Sequence, residues 1–430
     1  MISEAENTIW ETGFDSSGVK YSLPIGQDPA FTDALSVNNV IKQKLESYSR
    51  SKWETDQEDA FYVCDLGEVH NQHMKWKKYL PRIEPHYAIK SNPDPMVAKL
   101  LATLGAGFDC ASKTEIQQVL GMGVEPNRII YANPCKQSSY LQYASQQNVT
   151  LMTFDNEEEL HKIKKFYPHA ELVIRILADD AKSTSALGLK FGAPLDTVDH
   201  LLHVAQQLSL NVIGVSFHVG SGCHDEHAFA DAVLRARTVF DQAENMGFRF
   251  TMLDVGGGFP GADVKEGATF EKMAAVLGPA VDELFSSDVR VIAEPGRYYV
   301  SSAFTICAHV IGRRTVKSNS DEPTYMYYLN DGIYGTFNCI IFDYKQPKAQ
   351  ILLKNGKYLY GLKINEPEYD CSLWGPTCDS IDCLTKSTRM PVLNQGDWLY
   401  WENMGAYTSC SASQFNGFKI AKVFYTNASS

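Results

Sequence analysis

Short apolar runs recur along the chain, each followed by a stretch of helical spacing. The runs are rich in β-branched and aromatic residues and fall at 87–89, 108–110, 129–131, 151–153, 172–175, 215–217, 252–254 and 290–293. Between them, apolar residues repeat every three to four positions over 96–104, 114–120, 138–147, 157–166, 195–208, 228–246 and 270–285. Alternation of this kind predicts an α/β fold with parallel strands, and eight repeats predict a (β/α)8 TIM-like barrel. Ahead of the first repeat lie a strand at 60–65 and an amphipathic helix at 66–80 with a basic face. A further helix is expected at 37–48, joined to them by a polar linker at 49–51 and 54–59.

Past Arg297 the pattern changes. Strands are expected at 303–312, 326–329, 349–353, 397–401 and 420–425, with no long helical stretch between them. Turns such as Asn330-Asp331-Gly332 separate them. This predicts a mostly antiparallel β-domain, sandwich-like or barrel-like. Three units follow: a segment 1–55 that completes the β-domain, a barrel over 56–300, and the β-domain over 301–430.

Composition narrows the class. A chain of 430 residues exceeds one compact core. Hydrophobic residues at 44% and charged ones at 21% are ordinary for a globular protein. A net charge of −12 argues against nucleic acid or an acidic membrane as partner. No apolar run approaches the roughly 20 residues that span a bilayer. The start, Met1-Ile2-Ser3-Glu4-Ala5-Glu6, is acidic and polar, so a cytoplasmic location without a signal peptide is expected. The ten cysteines show no paired C-x-x-C spacing and no histidines at metal-ligand spacing, so free thiols and no metal are expected.

Chemistry in such a barrel sits at the C-terminal ends of the strands. Polar residues collect there: Lys90, Asp109, Arg175, His218, Asp254 and Glu294. Lys90 follows Tyr87-Ala88-Ile89 and precedes Asn92-Pro93. It is either a side chain reaching for solvent or an amine in a walled site, its pKa lowered by desolvation so that it can form a Schiff base. Gly256-Gly257-Gly258 is either a turn needing positive φ or a backbone cup for an anion, with Ser221 and Arg297 near it in such a fold. No P-loop or dinucleotide motif accompanies it, which points to a small phosphorylated cofactor. His218 is either structural or laid against a ring. A lysine, a phosphate cup, a histidine and a strand-end acid together suit pyridoxal phosphate, whose pyridine nitrogen a carboxylate such as Glu294 can hold protonated.

Longer motifs carry a family resemblance. They are Tyr87-Ala88-Ile89-Lys90, Phe108-Asp109-Cys110-Ala111-Ser112-Lys113-Thr114-Glu115, the segments 216–223, 256–261 and 294–299, Trp374-Gly375-Pro376-Thr377-Cys378-Asp379, Gly405-Ala406-Tyr407-Thr408 and Phe415-Asn416-Gly417-Phe418. With these the chain resembles the eukaryotic ornithine decarboxylases, of the alanine-racemase-like fold type of pyridoxal-phosphate enzymes. Phe342 is the choice of fungal members.

The resemblance implies decarboxylation of a basic amino acid, L-ornithine first, to putrescine and CO2 in polyamine synthesis. It implies pyridoxal 5′-phosphate bonded to Lys90 and contacted by Asp109, Arg175, His218, Ser221, Gly256, Gly257, Gly258, Glu294, Gly296, Arg297 and Tyr407. Phe342, Asp343, Asp379 and Phe415 are implied at the substrate, the two acids facing its distal ammonium. Cys378 of a second chain is implied as the proton donor to the α-carbon, in a homodimer bridged by Lys190 and Asp382. A thiol suits that role, since an ordinary value of about 8.5 leaves it mostly protonated at neutral pH. An antizyme-like regulator is a further implied partner. Tyr344 and Ser380 replace the histidine and glycine usual beside the two acids, and Ser91 replaces the usual cysteine after Lys90. Two alternatives follow: a paralogue acting on lysine or on another diamino or N-substituted amino acid of alkaloid metabolism, and an inactive antizyme-inhibitor-like regulator.

Overall fold

Eight parallel strands close into a barrel in chain order: Ile83–Ala88, Gly107–Cys110, Ile129–Tyr131, Leu151–Phe154, Glu171–Arg175, Asn211–Ser216, Met252–Asp254 and Arg290–Ala293, the last pairing with the first. The structure is a computed structural model. It describes residues 12–15, 18–21, 31–32, 35–50, 58–179, 183–185, 187–225, 227–261, 268–316 and 322–427. The start of the chain and most of the linker expected near 54–59 lie outside the described residues.

Local chemistry sets the helix starts on the barrel. Asp94 accepts from the amides of Met96 and Val97 at 3.0 and 3.1 Å, and Pro95 begins the helix Pro95–Thr103 where its missing N–H costs nothing. Ser112 caps Lys113–Gly121, and Glu115 reaches back to the amide of Ala111 at 2.5 Å. Asn156 caps Glu157–Phe166, whose first turn is acidic and last turn basic, as the helix dipole favours. Inside the barrel, Ile130, Leu151, Val173, Met252 and Ile292 form an apolar inner core.

The second unit is one curled sheet. Phe304–Val316 is its spine and pairs antiparallel with Thr324–Leu329, Trp398–Trp401 and Phe61–Asp65. Phe61–Asp65 therefore belongs to this sheet and not to the barrel. Two pairings of its longer strands are parallel: Thr324–Leu329 with Glu368–Trp374, and Lys422–Thr426 with Phe61–Asp65. The strands Glu368–Trp374 and Cys383–Pro391 escape sequence reading because their partly exposed, polar-rich runs lack an apolar stripe. Val40, Ile41 and Leu45 of the helix Val37–Arg50 pack on Phe61, Val63, Trp398, Tyr400 and Phe424 in a separate core. A hook joins the two units where the Tyr425 hydroxyl donates to Asp94 at 2.7 Å. Among the described residues no helix is long and apolar enough to cross a membrane.

Candidate active site

The C-terminal ends of the barrel strands open into a cavity of about 410 Å³ lined by Lys90, Arg175, His218, Ser221, Glu294, Phe342, Asp343 and Tyr407. Eight residues expected at the site thus meet around one space. Lys90 sits on the single 3-10 turn Ile89–Ser91 after the first strand. Its ammonium pairs with Asp109, which is buried in the second strand. Burial opposes the charge on Lys90, but Asp109 and then Glu294 outweigh it and raise its pKa. The expectation of a lowered pKa is therefore corrected: desolvation is present, and two carboxylates overrule it.

His218 follows the sixth strand. Its Nδ1 accepts from the amide of Gly220 at 3.0 Å, which leaves the proton of the neutral ring on Nε2. Burial, then the charges of Arg175 and Lys90, push its pKa well down, so the imidazole is neutral. Gly257 packs against it: a Cβ there would stand 2.8 Å from His218 Nε2. Gly256, at φ +62°, would strike the Phe217 carbonyl at 2.1 Å with any side chain. The amide of Gly256 donates to Asp254 at 2.9 Å, and Ser216 donates to the same carboxylate at 2.8 Å.

Glu294 directly follows the eighth strand, and its Oε1 is buried without a hydrogen-bond partner. Burial, then Asp254 and Asp109, raise its pKa well above the ordinary carboxylate value. Among the described residues, the amides of Gly257, Gly258, Gly296 and Arg297 find no backbone acceptor. These observations fit pyridoxal phosphate. The unsatisfied Oε1 suits a ring nitrogen, and the open amides beside Ser221 suit a phosphate.

Arg297 does not line the Lys90 cavity. It lines a neighbouring cavity of about 440 Å³ with His224, Tyr344 and Lys345. Its guanidinium binds Asp343 at 2.9 Å through Nη1 and at 2.6 Å through Nη2, and donates to Ser221 at 3.1 Å. Asp343, expected as a carboxylate open to substrate, is thus paired within its own chain. Tyr344 turns the backbone away immediately afterwards at φ +52° and leaves its ring 70% exposed.

The remaining expected residues stand elsewhere. Cys378 is exposed, its amide held by Asn416 at 3.1 Å. Asp379 accepts from the Tyr334 hydroxyl, and Tyr334 stacks on Phe415 at 4.4 Å. Asp382 is buried and accepts from the amides of Ile333 and Thr377 and the Thr377 hydroxyl at 2.7 to 3.0 Å. Its carboxylate is therefore engaged inside the chain, while Lys190 is exposed with its ammonium over Phe191. Asn133, Pro134, Leu187, Phe191 and Ser411 also line the Lys90 cavity and escaped sequence reading. Asn133-Pro134 stands one residue beyond the third strand, and that strand-end position was the available signal. Tyr334 holds Asp379, a contact that no sequence spacing announces. The ten cysteines are free thiols.

Comparison with known proteins agrees with this geometry. Residues 66–301 match the pyridoxal-binding domain of the pyridoxal-dependent decarboxylases. The ornithine decarboxylase of Neurospora crassa is 50% identical over 89% of this chain and 83% of its own. Antizyme inhibitor 2 of Xenopus laevis is 49% identical over 90% of this chain and 85% of its own. The crystal structure of the Paramecium bursaria Chlorella virus arginine decarboxylase superimposes with a TM-score of 0.82 at 34% identity, over 90% of this chain and all of that one.

Proposed function

The chain belongs to the pyridoxal-dependent decarboxylases, and on that premise we propose that it converts L-ornithine to putrescine and CO2. The observation that carries the reading is Glu294, whose buried carboxyl keeps one oxygen, Oε1, without a partner and lines the same cavity as Lys90. That arrangement suits a cofactor with an aldehyde at one end and a basic ring nitrogen at the other. Pyridoxal 5′-phosphate, when bound, supplies the conjugated ring that takes up the electron pair left at the α-carbon as CO2 departs.

The chain's own residues do the rest. Lys90 holds the cofactor, and its proton is transferred between its amine and Asp109 or solvent. Glu294 keeps a proton at the ring nitrogen. Neutral His218 flanks the site without adding a positive charge that would compete for electrons. Ser221, Arg297 and the glycine amides hold the phosphate. Asp343 and Asp379 compensate the distal ammonium, which favours a diamino acid over an ordinary one. Cys378 returns a proton to the α-carbon. Cys378 and Asp379 lie outside the Lys90 cavity of their own chain, so this reading includes a homodimer in which a second chain brings them in.

Identity alone does not separate an enzyme from a regulator, because the relative named antizyme inhibitor 2 is as similar as the decarboxylases. The presence of Lys90, Glu294, Arg297, Cys378 and Asp379 together favours the enzyme. Tyr344 and Ser380 beside the two acids leave lysine and longer or substituted diamino acids as the competing substrates. The test is release of CO2 from a panel of ornithine, lysine, arginine and N-substituted diamino acids. Ornithine is expected to have the highest kcat/KM. Higher kcat/KM on another amino acid moves the assignment to that substrate. A protein that takes up no cofactor and releases no CO2 from any of them is not an enzyme of this class.

A further inference from the structure

The Arg297–Asp343 pair stands between the two cavities. Asp343 lines both, while Arg297 lines only the one away from Lys90. Both side chains are largely buried, at 15% and 7% exposure, and the carboxylate engages both terminal nitrogens of the guanidinium. The Nη2 nitrogen also reaches Ser221, and the guanidinium carbon lies 5.0 Å from the centre of the Tyr407 ring. Arg297 Nε is buried without a partner. An arginine held this way keeps only its Nε and one Nη1 proton for a phosphate, and because a planar guanidinium presents its donors in a fixed fork, it cannot give the same two-nitrogen face to Asp343 and to a phosphate at once.

We propose that Asp343 is a positioning residue that competes with the cofactor phosphate for Arg297, and that the distal ammonium of a diamine at Asp343 releases Arg297 to the phosphate. The proposal rests on the reading of Asp343 as an acid that meets the substrate's distal ammonium. Its consequence is a coupling between two sites. A carboxylate drawn to an ammonium gives up its hold on the guanidinium, and a phosphate dianion takes its place. By linkage the diamine tightens the phosphate as much as the phosphate tightens the diamine. Cofactor would then be held most firmly when the far end of the substrate is seated. Lys345, two residues beyond Asp343, is bonded to the Asn403 carbonyl, so it is not in place to substitute for Arg297.

The experiment uses the full-length chain freed reversibly of cofactor. Pyridoxine 5′-phosphate is the probe, since it has no aldehyde to bond Lys90, and pyridoxine is the control without phosphate. Affinities are measured by calorimetry with and without saturating 1,4-diaminobutane. In the wild type the diamine is expected to lower the Kd of pyridoxine phosphate by about fivefold or more and to leave pyridoxine unchanged. Asp343→Asn is expected to bind pyridoxine phosphate more tightly than wild type, with no further gain from the diamine, and Asp343→Glu should restore the coupling. Weaker phosphate binding in Asp343→Asn overturns the competition. A diamine that binds the wild type but leaves the Kd unchanged overturns the coupling while the substrate reading stands. A diamine that does not bind the wild type overturns the substrate reading and the coupling, and a tighter phosphate in Asp343→Asn would then uphold the competition alone.

Discussion

Lys90 carries a proton that it must lose before its amine can attack a carbonyl carbon. Asp109 and Glu294 raise its affinity for that proton despite burial. The free-amine fraction therefore stays small through neutral pH and grows about tenfold with each pH unit below the pKa. Covalent capture of pyridoxal phosphate, followed by the visible absorbance of the bound cofactor, should accelerate with the same slope from pH 7 to 9. Asp109→Asn removes the carboxylate that raises the value most, so the profile should shift to lower pH. A rate independent of pH across that range in the wild type would show that the ammonium is not the resting form. The position of Lys90 was legible in the sequence, because a lysine closing an apolar strand before Asn92-Pro93 has few places to go. The sign of its pKa was not, because it depends on carboxylates 19 and 204 residues along the chain that only the closed barrel brings near.

Elements were legible in proportion to how completely they are buried. The eight barrel strands are covered by side chains within and helices without, so each reads as an apolar run. The strands Glu368–Trp374 and Cys383–Pro391 are exposed over part of their length and carry charged residues, and their pairing is decided by neighbours distant in sequence. Polar groups buried between elements are equally hard to foresee. Lys136 is fully buried, with its ammonium 2.9 Å from Glu159 and donating to the carbonyls of Asn133 and Thr153 at 3.2 and 2.6 Å. It ties the loop after the third strand to the fourth strand and the helix beyond. That loop carries Asn133 and Pro134 of the cavity wall. Lys136→Ala would leave the buried Glu159 with one cation, Lys162 at 2.5 Å, and the amide of residue 136 at 3.3 to 3.4 Å, at a cost of about 3 kcal/mol. Lys136→Ala/Glu159→Ala should lose less than the sum of the two single changes, because the buried charge left short of a partner in each single variant is gone. Urea denaturation of the four proteins measures this, and strict additivity would show that the pair does not act as a unit.

At the scale of the whole molecule, the residues proposed for one reaction lie on two separate surfaces. Lys90, His218 and Glu294 line the barrel cavity, whose rim exposes Phe342 at 69%. Cys378 and Asp379 lie on the β-domain beside Ile381 at 57% exposure and the exposed rings of Phe415 and Phe418. Apolar side chains grouped in this way are normally covered by a partner. A two-fold axis would let each barrel rim face the other chain's Cys378 surface and build two equivalent sites, each from both chains. Mixing decides it. Lys90→Ala and Cys378→Ala chains are each expected to be nearly inactive as pure proteins. In a mixed dimer, one site combines the intact Lys90 of one chain with the intact Cys378 of the other, and the second site carries both changes. Random exchange of equal amounts makes half the dimers mixed, so activity should recover to about a quarter of wild type. The fraction of mixed dimers is followed independently with two affinity tags. Recovery that rises in step with that fraction supports the shared site. Chains that exchange fully and recover nothing would mean that Cys378 serves a role other than the one proposed for it across the interface.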